Sequence, residues 1–475
     1  MSKLLKNSLI YTIGNVITAL SAFFLLPLYT KYLTVSDFGI TNSMQIISSV
    51  LVIVLSLALE RSLFRVYYDY NTEKEQKDFL GTIFLSILGA GCLGLLLCFL
   101  ASRYLNLLFS SIPFHPYYTL AIFYSFVLSI VNFTQTVAQV KQNARQFIFI
   151  SITTLLVTIG ANLILILHLH EGALGYLKGV LYGGLCVIPF ALYYIHSSIN
   201  YTFNSTKLKS ALLFSLPILP SLIAGWVLNL SDRVFIDKYY TLADVAIYSL
   251  GYRIASLVIF ISSAIFMSYN PLFFNIANRK ELSVEEQKSR IYKINSAIII
   301  LIGIVGLGIL LCSDAALKLF FPKDYMASYA YISVLILSFI IAQVTGLFNL
   351  MIYQNKRTKP VAVITICCAV LNIALNYFLI PRYGVFCAVL SNLICNSVNF
   401  LLIYLLAKKN YFISLDWLVV AKILLCYTAV YFINRSVIDK NIISLMFVKV
   451  VSFGVIMMIF RKSITMLYFN FKQSK

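Results

Sequence analysis

The chain has 475 residues, of which 60% are apolar and 15% aromatic, while only 11% are charged, about half the charged fraction of a soluble globular domain. Its 37 Lys and Arg and 17 Asp and Glu cannot cover a soluble fold of this length while so many apolar side chains need burial; an ordinary water-soluble enzyme is excluded, and lipid must supply the missing burial. The formal charge of +20 would point to nucleic acid in a soluble chain, but here the bases sit in short gaps between apolar runs, where they set membrane orientation, so no nucleic-acid partner is expected.

A hydrocarbon core of about 30 Å needs about 20 helical residues. Windows of that kind run, in chain order, over 8–29, 40–60, 79–100, 117–139, 147–167, 174–195, 211–231, 243–266, 290–312, 327–350, 361–380, 384–406, 417–434 and 442–460. The first follows Lys3 and Lys6 but is too long for a signal-peptide core and lacks a small-x-small cleavage site, so it reads as a span. The expectation is an all-α polytopic membrane protein of about 14 transmembrane helices.

With a cytoplasmic start, one set of gaps and tails holds 24 of the 37 bases, including Arg61, Arg65, Lys141, Lys207, Arg279 and Lys408. The opposite set holds nine, among them Lys31, Arg103, Lys238 and Arg382. Bases in short loops resist translocation, so both termini are expected in the cytoplasm.

The chain also repeats itself. KYLTVSDFGI from Lys31 to Ile40 is echoed by KYYTLADVAI from Lys238 to Ile247, with five of ten positions identical at an offset of 207. QNAR at Gln142 to Arg145 is echoed by QNKR at Gln354 to Arg357, and at that same offset of 212 Gly172 falls on Gly384. Six helices separate equivalent positions, so both copies enter the membrane in the same sense and the repeat is parallel. The expected division is two parallel six-helix lobes, 1–200 and 201–410, with two peripheral helices and a cytoplasmic tail in 411–475. Facing lobes enclose a cleft that rocking opens to either side, which is transporter architecture. A channel would show a filter motif, and none is present.

Ionisable residues inside spans are costly and mark function. Arg253 lies deep in the eighth span and reads as cavity-lining, or as one half of a structural pair with Asp232 or Asp237. Arg61 and Arg65 are one turn apart on one helix face at the end of the second span, Lys178 sits a turn inside the sixth, and Lys422 snorkels from the thirteenth. Lys449, near the middle of the last span, needs another explanation, such as a groove between the extra helices and the core. These four bases, Arg61, Arg65, Lys178 and Arg253, are the candidate substrate-binding residues. Asp232 and Asp237 are candidates for an ion-binding or gating role, although they, Asp244 and Asp314 also suit helix ends. A cavity richer in bases than acids favours an anion, and guanidinium holds phosphate oxygens bidentately.

No catalytic residues and no metal site are expected. His168, His170 and Glu171 cluster without a further ligand, and no G-x-x-x-x-G-K-[ST] segment supports nucleotide hydrolysis. The nine cysteines lie in apolar stretches without C-x-x-C spacing and read as small apolar side chains. Pro27, Pro217, Pro220 and Pro271 are expected to break or kink helices.

LLPLYTKYLTVSDFG from Leu25, ERSLFRVYYDY from Glu60, SDRVFIDKYYTLADVAIYSLGYRIAS from Ser231, QNKRTKP from Gln354 and NYFLIPRYGVFCAVLSN from Asn376 together resemble the polysaccharide-transport proteins of the MOP flippase superfamily, the Wzx-type flippases of O-antigen and capsule. The resemblance covers nearly the whole chain. It implies a bacterial inner-membrane protein that moves undecaprenyl-pyrophosphate-linked oligosaccharide units from the cytoplasmic to the periplasmic leaflet, with a groove at spans thirteen and fourteen for the lipid tail. It also implies the lipid bilayer as partner, working contacts with glycan polymerase and chain-length machinery, and no cofactor beyond a proton or sodium gradient or downstream consumption of product to bias the cycle. The rival reading is a MATE-like cation-coupled multidrug exporter. The absence of a carboxylate from the first span and the surplus of intramembrane bases both weigh against it.

Overall fold

In lipid every backbone N–H and C=O needs a partner within the chain, and the fold meets that demand with helices throughout. The computed structural model describes residues 17–461 apart from 19, 22, 280, 356, 410, 438–447, 456 and 457. Among the described residues there is no strand, and twelve helical stretches are long and apolar enough to cross a membrane. They coincide one for one with the second to thirteenth windows, each extending beyond at least one end of its window. The first window up to residue 16, the fourteenth up to residue 447 and both chain termini lie outside the described residues. The chain is a multi-pass all-α membrane protein.

Its helices pack as two compact units, 1–246 and 247–475. The first holds α1 (Leu26–Tyr32), α2 (Val35–Leu55), α3 (Glu60–Val66), α4 (Glu73–Leu100), α5 (Thr119–Val140), α6 (Ala144–Asn162), α7 (Gly172–Ser198), α8 (Ser205–Ser215), α9 (Leu219–Leu230) and α10 (Asp232–Tyr239). An apolar cluster joins α3, α4, α5, α7 and α8 through Leu59, Leu63, Phe79, Ile83, Phe133, Val137, Ile195 and Ala211. The seventh span, α8 and α9, is interrupted at 216–218 around Pro217, and Trp226 in α9 donates its indole N–H to the Ile46 carbonyl (3.2 Å) and to Ser49 Oγ (3.0 Å) of α2.

The repeated segments do the same local work. Thr34 and Asp37 form a capping box at the start of α2, with Thr34 Oγ1 donating to Asp37 at 2.6 Å and the Asp37 amide donating back at 3.0 Å. Thr241 and Asp244 repeat it at 2.6 and 3.2 Å ahead of the helix that follows, satisfying amides that a helix start leaves without partners. Gly172 and Gly384 both have positive φ, 57° and 95°, a conformation glycine adopts without penalty. The QNAR and QNKR pair behaves differently: Gln142 has positive φ and Asn143 caps α6, whereas Gln354 ends a helix.

Not every break falls at a proline. Beyond α2 the chain turns through two consecutive left-handed residues, Leu57 and Ala58 (φ 50° and 51°), each costing about 1–2 kcal/mol. The turn keeps its polar groups bonded: the Ala58 amide reaches the Ile53 carbonyl and Ser56 Oγ, both at 3.2 Å. Pro271, by contrast, lies inside a helix that runs on past it.

α11 (Leu242–Ala255) leads into the second unit, which holds α12 (Leu257–Ala277), α13 (Val284–Phe320), α14 (Ser328–Gln354), α15 (Lys359–Tyr383), α16 (Phe386–Lys408) and α17 (Trp417–Val437). A polar seam runs along α14 and α16, where Asn396 Nδ2 donates to Ser338 Oγ (2.8 Å) and to Asn392 Oδ1 (3.0 Å). The expected groove-facing role of Lys449 gives way to an ion pair: its ammonium donates to the Asp314 carboxylate and the Leu311 carbonyl of α13, with the two side chains only 7% and 0% exposed. Asp314 is therefore a buried ion-pair partner and not a cap. It neutralises a base that the hydrocarbon would otherwise penalise.

Two measurements check this packing. A Cβ on Gly39 would lie 2.1 Å from the Leu242 carbonyl oxygen, so Gly39→Ala is expected to cost at least about 1–3 kcal/mol, read as a lower unfolding midpoint in detergent. Lys449→Met leaves a buried carboxylate alone and should cost about 3–5 kcal/mol, whereas Lys449→Met with Asp314→Leu should recover most of it; equal losses in the single and double variants would contradict the pairing.

Candidate functional site

The charged side chains of the first unit sort to its two ends, and the helix contacts say which is which. The Asp37 carboxylate at the start of α2 accepts from the Ala173 amide at the start of α7 (3.2 Å), so these starts share one end. Gly39 abuts Leu242 there, so α10, which ends just before it at Tyr239 and is held by the loop between α4 and α5, lies at the same end. Arg61 and Arg65 lie beyond the other end of α2, whose 21 residues span about 30 Å. Arg61, Arg65 and Lys178 therefore do not form one patch: two bases stand at one end and the third at the other.

At the α3 end, amphipathic spacing positions the bases. Leu59, Leu63 and Val66 turn into the core, an i, i+4, i+7 stripe, and this leaves Arg61 and Arg65 exposed on the opposite face. Arg65 pairs with Asp69 one turn on, both more than half exposed, an arrangement worth little in stability and readily exchanged for another anion. Beside them Glu60 has its carboxyl tucked inward. Burial pushes that carboxyl above its usual range, against the lowering pull of its own backbone, the Ser56 side chain and Arg61, and its Oε2 is enclosed with no hydrogen-bond partner among the described residues.

At the opposite end Lys178 Nζ donates to Glu171 Oε2 at 2.8 Å, both about a quarter exposed, which takes Glu171 out of the His168, His170, Glu171 cluster. Nearby, Gln45 donates to the Tyr176 hydroxyl and Asn162 Nδ2 donates to the Tyr29 hydroxyl at 3.0 Å, so the inner faces of α1, α2, α6 and α7 carry polar groups on an apolar scaffold. α10 concentrates charge: Asp232, Arg233 and Asp237 are all buried. Arg233 donates to the Asn229 carbonyl at 2.7 Å. Asp237 accepts from the Ser111 hydroxyl and amide, and burial raises its carboxyl above the usual range despite the bonds from Ser111 and Ser110. Asp237 thus fastens α10 to the 102–113 loop, a latch that no short motif announces.

Arg253, in the second unit, is half-buried about 17 Å along its span by helical rise. It stands next to the joint between α11 and α12, where Ser256 Oγ donates to its carbonyl at 2.8 Å.

Residues 4–277 match the model of a family described as polysaccharide biosynthesis protein, and residues 217–378 match the MatE model. Similar relatives include Lsg locus putative protein 1 of Haemophilus influenzae, 26% identical over 60% of this chain and 69% of that one, and an uncharacterized membrane protein of the same organism, 24% identical over 76% and 86%. The fold is similar to that of the lipid II flippase MurJ in an inward closed conformation, with a TM-score of 0.76 at 12% identity over 96% of this chain and 100% of that one. It is also similar to an inward-facing multidrug resistance MATE family transporter of the MOP superfamily, with a TM-score of 0.61 at 16% identity over 83% and 98%.

Proposed function

The chain belongs to the polysaccharide biosynthesis protein family and has the fold of the MOP superfamily, and from that premise we propose that it is a flippase, moving a polyprenyl-pyrophosphate-linked oligosaccharide between the leaflets of the bacterial inner membrane by alternating access. The observation that carries this reading is the family match across more than half of the chain. The placement of the bases supports it. By the count of bases in the gaps the α3 end faces the cytoplasm, so Arg61 and Arg65 stand where a pyrophosphate headgroup enters and Lys178 where it leaves.

The mechanism needs no covalent chemistry. Exposed guanidinium at the entrance draws the pyrophosphate in, and Arg253, half-buried in the second unit, is a further base at lower dielectric, where attraction to a phosphate is stronger. The sugars follow into the polar interior, and the polyprenyl tail remains in lipid beside the last two helices. Each base has to hold the headgroup weakly enough in one state to surrender it in the other. An acidic partner nearby, as Asp69 is for Arg65 and Glu171 for Lys178, supplies a competitor that takes the base back. The product is a lipid-linked unit in the outer leaflet, ready for assembly into O-antigen, capsule or exopolysaccharide by polymerase and chain-length machinery.

A drug exporter is the second reading, favoured by the MatE match over residues 217–378. Exchange of a cationic drug for a cation calls for a carboxylate in the cavity, and the first-span window, 8–29, has none.

In cells whose surface glycan depends on this chain, Arg61→Ala and Arg253→Ala are each expected to lower surface glycan about 10–100-fold, the equivalent of one charge-assisted hydrogen bond of about 1.5–3 kcal/mol, with lipid-linked units accumulating and the protein still inserted. Wild-type glycan in both variants, or raised drug sensitivity in place of a glycan defect, would remove the bases from the mechanism.

A further inference from the structure

We propose that the two repeated lysine and tyrosine pairs, Lys31 with Tyr32 and Lys238 with Tyr239, form a binding site for the phosphoryl groups of a lipid headgroup, at the end of the first unit opposite Arg61 and Arg65. In each copy the lysine is the last residue but one of a short helix, α1 or α10, and stands three residues ahead of the threonine that caps the next helix. Its ammonium lies over the ring of the tyrosine that follows, 5.9 Å from the centroid of Tyr32 and 5.5 Å from that of Tyr239, within the range of cation–π attraction. All four side chains are exposed. The repeat therefore preserves more than two capping boxes: it presents the same ammonium on the same ring twice.

The two pairs stand side by side. Gly39, near the start of α2, lies so close to Leu242, the first residue of α11, that a Cβ there would be 2.1 Å from the Leu242 carbonyl oxygen. Helix starts in such contact bring the segments just ahead of them to one place on the surface.

The acids of this end leave both ammonium groups uncompensated. Asp37 accepts from Thr34 and from the Ala173 amide, Asp244 from Thr241 and Asp237 from Ser111. Glu171 is taken by Lys178, and Asp232 is buried. Among the described residues neither Lys31 nor Lys238 forms an ion pair.

Two unpaired ammonium groups on one surface raise the local potential and draw a multiply charged anion, and lysine serves phosphate as a point charge. Tyrosine rings favour the level of the lipid headgroups, so the anion that meets these ammonium groups there is one that a lipid carries. The loop count leaves this end nine bases against 24 at the other, and two of the nine hold equivalent positions of the repeat. Two lipids offer paired phosphoryl groups: a polyprenyl-pyrophosphate unit that has crossed the bilayer, and an anionic phospholipid with two phosphates. The first source rests on the transport reading above; the phosphate site does not.

The test resolves individual lysines. The purified protein in neutral phosphatidylcholine nanodiscs is treated with an amine-acetylating reagent, and the modification of each lysine is followed by peptide mass spectrometry, alone and with a polyprenyl pyrophosphate or cardiolipin as probe. At least one probe should slow acetylation of both Lys31 and Lys238, at a half-maximal concentration that rises with salt. In Lys31→Met and in Lys238→Met, both changes at exposed positions, protection of the remaining lysine should need about tenfold more probe. Protection by the pyrophosphate assigns the site to the transported unit, and protection by cardiolipin alone assigns it to the surrounding membrane. Acetylation that neither probe slows, or protection of one lysine that replacing the other leaves unchanged, overturns the proposal. Protection by the pyrophosphate in a protein that exchanges no lipid-linked glycan between leaflets upholds the phosphate site and contradicts the transport reading.

Discussion

Lipid offers no hydrogen bonds, and that constraint governs the molecule at every level. It turns the described chain into helices, and wherever a helix stops near the membrane it demands replacement partners for the backbone. At the start of α2, Thr34 and Asp37 provide them. At its other end the Ala58 amide finds Ile53 and Ser56 instead, so the chain turns through two left-handed residues without leaving those groups bare. This strained turn sets α3 with Leu59 and Leu63 in the core and Arg61 outside. The base at the proposed entrance is thus a consequence of how one helix was terminated.

The same medium decides what charges can do. An ionised group in hydrocarbon is held only by a partner, by water or by a change of protonation, and the chain shows more than one of these solutions. Lys449 and Asp314 pair out of solvent in the second unit. Lys178 and Glu171 pair while partly exposed, where an incoming anion can compete. Glu60 has one carboxylate oxygen enclosed without a hydrogen-bond partner among the described residues, and Arg61 exerts only a weak pull on it. An exchange of partners, rather than any bond made or broken, is then the chemistry of the proposed cycle.

Much of the fold was legible in the sequence because hydropathy reports burial in lipid directly: the second to thirteenth windows each proved helical, the seventh and eighth as two helices apiece, and the T-x-x-D repeat became two capping boxes. The break at Leu57 and Ala58 was not legible, since left-handed leucine and alanine leave no compositional trace, while Pro271, the residue type that usually marks a break, sits inside α12. At the site, the helical spacing of Arg61 and Arg65 put them on one face, and the structure shows that face exposed. Their separation from Lys178 depends on which helix ends meet, as Asp37 meets Ala173, and a linear pattern carries no such information. The Asp314 and Lys449 pair and the Asp237 latch on Ser111 were hidden for the same reason, as they join residues 135 and 126 positions apart.

The central claim is that this fold moves an anionic, lipid-linked glycan across the bilayer, and leaflet exchange by the purified protein tests it most directly. Reconstituted into liposomes with a fluorescent polyprenyl-pyrophosphate oligosaccharide in both leaflets, the protein should make the inner pool accessible to a membrane-impermeant quencher, and protein-free liposomes should not. An inner pool that stays protected, in liposomes where the same protein drives ion-coupled uptake of a cationic dye, would contradict the account and assign the chain to drug export.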